Sequence, residues 1–344
     1  MKNKLFLKFK VSFWVSVLVL CSACSCSTEG TIQLILGISA QAPVFMDCKP
    51  VSSTEILFTF SDEVQVISLN FDTGLEVESI EEGSEVKVTL AKALAEGRRI
   101  TADILVEDSN RNTLNVIVPF RARNDRMPAL VINEIRTENS KPRAEFVEFF
   151  ALEPGNLGAM RFFIAGHSLT KAAYEFPPVE VEAGEYIVLH LRTTEEGCVD
   201  ETGTDLALSR GTDAHNNARD LWIPGNRKLI HKTDALWLID QDERIIDAVI
   251  LCENPGEWGR NNSNVAAAAE FLGRERAWLP SSGNDGAWIP SPADAVISAG
   301  TTNTRTICRD ETITPASPRA GNWYITATSG ATPGRPNNVK RHNP

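Results

Sequence analysis

The groups in this 344-residue chain whose types and spacing could do chemistry are its acids, histidines, serines and cysteines. The densest set lies in segment 193–222, which carries Asp200, Asp205, Asp213, His215 and Asp220. Carboxylates converging with a histidine on a cleft would suit a phosphodiesterase-like hydrolase, and this is the enzymatic alternative for the chain. Ser209 stands beside Gly211, Asp213 and His215, but it lacks both a preceding strand and the Gly-x-Ser-x-Gly elbow that lifts a nucleophile from a sheet. Glu134, Glu145 and Glu148 are strand acids that could form an acid/base pair; capping of backbone groups or a solvated face is the reading adopted. Asp108, Asn110 and Asn112 alternate like the first ligands of a calcium loop, yet Thr113 and Pro119 occupy the positions that need glycine and a bidentate acid, so a hairpin turn is expected. Asp240 to Glu243 reads as a solvated turn. His167, His190, His215, His231 and His342 stand in no zinc-binding spacing. No catalytic residue, metal or cofactor is implied.

These groups must be positioned by something large. The length allows two or three domains, and 42% hydrophobic with 23% charged residues is a globular composition. Four lysines and no acid lie in residues 1–23, so the rest carries 30 basic against 45 acidic side chains. A surface that acidic repels phosphate backbones, which makes nucleic acid an unfavourable partner.

Residues 1–23 form a basic stretch followed by an apolar run from Val11 to Leu20, the pattern of a secretory signal. The run is about half the ~20 residues a membrane-spanning helix needs. After it, Cys21-Ser22-Ala23-Cys24-Ser25-Cys26 resembles the lipobox of bacterial lipoproteins, with small residues before a cysteine that becomes diacylated. The resemblance implies acylation at Cys24, or alternatively at Cys26, with membrane lipid as a partner. It also implies a cell-membrane or outer-membrane location, with the protein periplasmic or surface-exposed. Residues 24–44 then serve as a tether.

Residues 45–124 read as strands. In Ser84–Leu90, Val86, Val88 and Leu90 share one face while Lys87 and Thr89 take the other, the period-two signature of a half-buried strand. Turn residues at Ser61-Asp62, Asp72-Thr73-Gly74, Glu82-Gly83 and Glu96-Gly97 recur at sandwich spacing. With its "FTFSDEV" opening and "VEDSNRNTL" hairpin, the segment resembles bacterial Ig-like modules of surface proteins.

Further along come Ala129–Ile135, Glu145–Phe150, Ala183–His190, Lys232–Asp240, Ile245–Ile250, Thr304–Arg309, Asn322–Ile325 and Thr332–Asn337. Taken in order they resemble the lamin tail domain, an Ig-like β-sandwich found in nuclear lamins and exported bacterial proteins. The resemblance covers 128–338, with loop-like insertions at 193–222 and 253–300. The nuclear partners of lamins do not carry over to an exported chain. Within Lys232–Asp240, Ala235, Trp237 and Ile239 alternate with Leu236 and Leu238, so a central strand covered on both sides is expected.

Four cysteines lie beyond the leader: Cys48, Cys198, Cys252 and Cys308. An even number in an exported protein permits disulfides, and lamin-tail topology favours Cys252 with Cys308. The 253–300 insertion holds Trp258, Trp278 and Trp288 and a short helix expected over Val265–Ala277. These indoles could form a binding surface or pin the insertion to the sandwich. The expectation is an all-β protein of two Ig-like β-sandwiches in tandem, binding an envelope protein or polysaccharide rather than catalysing a reaction.

Overall fold

The computed structural model describes residues 41–260, 262–280, 288–311 and 318–343. The signal segment, Cys24, Cys26 and most of the tether lie outside the described residues. The chain divides into two compact units. One runs to Ala93 and takes in Ile100–Phe120; the other holds Leu94–Arg99 and the chain from Arg121 onward. Both are all-β.

The first unit contains β1 (Phe45–Pro50), β2 (Glu55–Phe71), β3 (Val77–Glu81), β4 (Gly83–Leu90), β5 (Arg99–Asp108) and β6 (Thr113–Arg121). They form one sheet in the order β3-β4-β2-β5-β6, with β1 also on β2. The 17-residue β2 changes partners along its length. Residues from Glu55 to Thr59 pair with β4, residues from Val64 to Phe71 pair with β5, and an irregularity between Thr59 and Val64 joins the two ladders. Ser61-Asp62, expected as a turn, therefore lies inside a strand, and the two ladders are joined through β2 in one continuous hydrogen-bonded sheet. The core comes from strict alternation: Ile56 and Phe58 on β2, Val86 and Val88 on β4, and Ile104 and Val106 on β5 are fully buried. Each such side chain contributes about 1.5–3 kcal/mol. The β5–β6 turn is the expected hairpin: Asp108 Oδ1 accepts the N–H groups of Asn110 and Asn112, and Arg111 takes φ 65°.

The second unit contains β7 (Leu130–Arg136), β8 (Phe146–Ala151), β9 (Gly155–Asn156), β10 (Arg161–Ile164), β11 (Tyr174–Glu175), β12 (Glu180–Val181) and β13 (Tyr186–His190). It continues with β14 (Ala218–Trp222), β15 (Asp234–Ile239), β16 (Ile245–Cys252), helix α1 (Ser263–Arg274), β17 (Val296–Ile297), β18 (Ile307–Arg309) and β19 (Trp323–Ile325). A six-stranded sheet runs β14-β13-β8-β7-β18-β19, and a five-stranded sheet runs β11-β10-β15-β16-β17. The main core includes Val147 and Phe149 from the first sheet and Leu236 and Val249 from the second. Phe149 meets Phe162 and Phe176 edge-on, at centroid distances of 5.2 and 5.4 Å. All six residues of β15 are buried, as its two apolar faces require.

The sequence offers no sign of β14, yet it pairs in parallel with β13, while β17 pairs in parallel with β16. A parallel pair needs a crossover of a dozen or more residues. The two long segments are those crossovers rather than decorations: the first leads into β14, and the second carries α1 on its way to β17.

Candidate functional site

The six-stranded sheet turns one face to the apolar core. Its other face carries the chemistry. On β7, Glu134 and Arg136 point away from the core; Phe146 and Glu148 do so on β8, Val188 and His190 on β13, and Asp220 and Trp222 on β14. Cross-strand pairing lines Arg136, Phe146, His190 and Trp222 into one row. The Arg136 guanidinium lies 4.7 Å from the Phe146 ring centroid, and the His190 imidazole stacks on Trp222 at 3.7 Å and 9°. Glu134 and Glu148 are direct cross-strand partners in the next row, and both are fully buried.

Such a face would be solvated in a simple sandwich. Here it is covered, by the β13–β14 crossover and by the chain after β19. Glu134 accepts the Thr332 N–H at 3.0 and 3.1 Å, the Thr332 hydroxyl at 3.1 Å and the Thr306 hydroxyl. Glu148 accepts from Asn133 Nδ2 at 2.9 Å and from the Gly334 N–H at 2.6 Å. Asn337 Nδ2 closes the set, donating to Asn133 Oδ1 at 2.9 Å and to the Arg309 carbonyl at 3.0 Å. Residues quoted from four separate motifs therefore form one buried lock. Of the two expected arrangements, capping of backbone groups is the one Glu134 and Glu148 adopt, and two facing buried carboxylates are tolerated because donors surround them. Burial, together with the facing Glu134 carboxylate, pushes the Glu148 carboxyl well above its ordinary range. Burial and the same carboxylate also push the Cys308 thiol well up.

The candidates in 193–222 separate. Asp220 binds His190 Nε2 at 2.7 Å and accepts the His215 backbone N–H at 2.9 Å. Asp200 accepts the Trp222 N–H at 2.7 Å, and Asp205 accepts the Ala207 N–H at 3.0 Å in an exposed turn. Asp213 pairs with Arg136. Ser209 accepts the Trp222 indole N–H at 2.9 Å. Glu145 pairs with Arg192, with the carboxylate fully buried. Of the five, only Asp213 and His215 line the same concavity, a cleft of about 200 Å³ where the two covering segments meet. Arg136, Arg143 and Arg335 line it too, and pattern reading could not have found them, because isolated arginines carry no spacing signal.

The remaining expectations also have definite places. Cys252 and Cys308 are both free and buried, on strands of different sheets; the expected disulfide is not formed. Trp278 is fully buried and donates its indole N–H to the Asp294 carbonyl at 2.9 Å. Trp288 donates to the Trp278 carbonyl at 3.0 Å, and Trp258 packs partly buried against the core. The three indoles pin the second crossover rather than forming a presented surface. Asp240 Oδ1 accepts the N–H groups of Asp242 and Arg244, the expected turn. Among the described residues no group of three or more His, Cys, Asp or Glu is arranged to hold a metal, and no helix is long and apolar enough to cross a membrane.

Fold and site define a β-rich protein whose second unit buries a polar layer under its own crossover and C-terminal segment. That unit is what the family comparison matches: the model described as TP_1001_2nd, a protein second domain, covers residues 128–325, and the chain belongs to this family. An uncharacterized protein of Treponema pallidum (strain Nichols) is 28% identical over 245 residues, 66% of this chain, and the chain spans 61% of that relative's length. Among solved structures, a DUF4876 family protein from Bacteroides thetaiotaomicron VPI-5482 is similar at 11% identity and a TM-score of 0.29, over 78% of this chain and 88% of that one. The N-terminal part of the bacterial S-layer protein SbsC is similar at 18% identity and a TM-score of 0.24, over 39% and 37% of the respective chains.

Proposed function

We propose that this chain is an exported bacterial lipoprotein, acylated at Cys24 or Cys26, whose lamin-tail-like second unit acts by binding a component of the cell envelope rather than by catalysis. The observation that carries this reading is the fate of the polar side chains on the second unit. Asp200, Asp213, Asp220, Glu134, Glu145 and Glu148 are each engaged by backbone donors, hydroxyls, a histidine or arginine. A hydrolase would keep at least two of them aimed at a shared reacting atom. Groups held this way instead make a rigid platform, and rigid surfaces lose little entropy on binding. The lipobox-like Cys21–Cys26 segment supports anchoring, since several acyl chains at ~0.8 kcal/mol per buried methylene hold a protein at a membrane.

Detergent phase partitioning of the full chain tests the anchor. Wild type is expected in the detergent phase and the Cys24→Ala, Cys26→Ala variant in the aqueous phase; a variant that still enters detergent overturns acylation. Co-sedimentation of the same variant with purified envelopes tests binding, and absence of sedimentation overturns that part.

A further inference from the structure

We propose that the cleft where the β13–β14 crossover meets the C-terminal segment is a binding site for a phosphate monoester group. Three guanidiniums line it, from Arg136, Arg143 and Arg335, against the single carboxylate of Asp213, which leaves two positive charges in excess. The whole chain carries a net charge of −11, so this is a local reversal of its field.

The arginines differ in what they can do. Arg136 is 1% exposed and fixed: it donates to the Ala144 carbonyl at 3.1 Å, pairs with Asp213 and lies over Phe146. Its Nε, fully shielded, has no hydrogen-bond partner, an uncommon state for a buried donor. Arg143 and Arg335 are exposed, and neither guanidinium has a polar partner among the described residues. An exposed arginine commonly finds a carboxylate in so acidic a chain; two that flank one cleft without one are available to an anion. Arginine's planar fork suits phosphate oxygens, and several forks converging from different sides suit a tetrahedral group better than a planar one.

Neutral donors complete the lining. Thr212 gives its N–H to Glu195 and keeps its hydroxyl, while Asn303 and Thr304 face the same space. Ser329, also on the wall, holds φ 61°, a left-handed conformation that a non-glycine residue adopts at a cost. A volume of about 200 Å³ admits one phosphate with part of the group that bears it.

The inference rests on the binding reading above and names its chemistry. Its test is calorimetric titration of the full chain in detergent micelles with inorganic phosphate in chloride buffer. Binding is expected, with a Kd in the millimolar range or tighter, and Arg143→Glu with Arg335→Glu should weaken it by at least about tenfold per lost contact. Both side chains are exposed, so the double variant should keep the wild-type Tm without phosphate. Absence of heat up to about 10 mM phosphate, or equal affinity in wild type and double variant, overturns the site. Glucose 1-phosphate and phosphatidic acid vesicles in phosphatidylcholine then separate a glycan-borne from a lipid-borne phosphate. If wild type sediments with envelopes but gives no heat with phosphate, only this inference fails. If wild type binds phosphate but does not sediment, only the broader reading fails.

Discussion

The two units treat polar side chains in opposite ways. In the first, Lys87 pairs with Glu55 and Glu81 at 3.1 and 3.5 Å on a largely exposed face, and Asp108 serves a turn five residues long. In the second, Glu134 is held by Thr332, 198 residues away, and Glu148 by Gly334, 186 residues away. Local, solvated polar contacts contribute little each, and their loss is tolerated. Buried, distant ones leave a charge or a donor stranded when either partner goes. The lesson is that stability in the second unit depends on its covers staying shut.

The largest effect is expected at Arg136. Arg136→Met keeps the bulk over Phe146 but strands Asp213 and the Ala144 carbonyl, and should cost about 3 kcal/mol or more in urea denaturation. A cost below about 1 kcal/mol would mean the second unit is no more committed to its ion pairs than the first. Gly334→Ala comes next. At φ 74° a Cβ would lie 2.7 Å from His215 Cβ and 2.8 Å from Ala218 Cβ, so about 2–3 kcal/mol should be lost as the C-terminal cover lifts. Asp108→Ala, in the first unit, should cost less than either and raise hydrogen exchange only around the β5–β6 hairpin. Global loss of protection would break the contrast.

How much of this the sequence revealed follows from the same contrast. Alternation in Ser84–Leu90 and the apolar run Ala235–Ile239 located β4 and β15, because a strand with one or two apolar faces advertises them. The Asp108 turn was legible because its donors lie within four residues. The lock is half legible: Asn133, Glu134, Glu148, Thr332, Gly334 and Asn337 all fall within the lamin-tail-like motifs, but nothing in their order says that the last three close on the first three. The β14 strand, Ala-Arg-Asp-Leu-Trp, was missed because its arginine and aspartate are buried by partners elsewhere: Arg219 by Glu185, Asp220 by His190. The cleft was invisible for a similar reason, being assembled from four separated stretches.

Acidity sharpens the comparison with the smallest effect, since the two units respond with opposite sign. In the first, the Asn112 amide and two backbone donors hold the Asp108 carboxyl below its ordinary value. Its unfolded form therefore takes up protons first, and its stabilisation, complete above about pH 4, fades as pH falls further. In the second, burial raises Asp234 to about 7, against the pull of three backbone N–H donors, and burial with the Glu134 carboxylate raises Glu148. For these the folded state holds the proton more tightly, so their contribution is greatest below the ordinary carboxylate range and declines as pH rises above it, for Asp234 through about 7. The six tryptophans among the described residues lie in the second unit and Trp14 lies in the leader outside them, so in the chain lacking residues 1–23 indole fluorescence during urea unfolding reports the second unit alone. The stability of wild type relative to Glu148→Gln should fall as pH rises from about 4 to about 7. Taking that difference cancels the exposed Glu175 and Glu180, whose shifts run the other way. A relative stability that rises over the same window would mean that Glu148 is ionised in the fold.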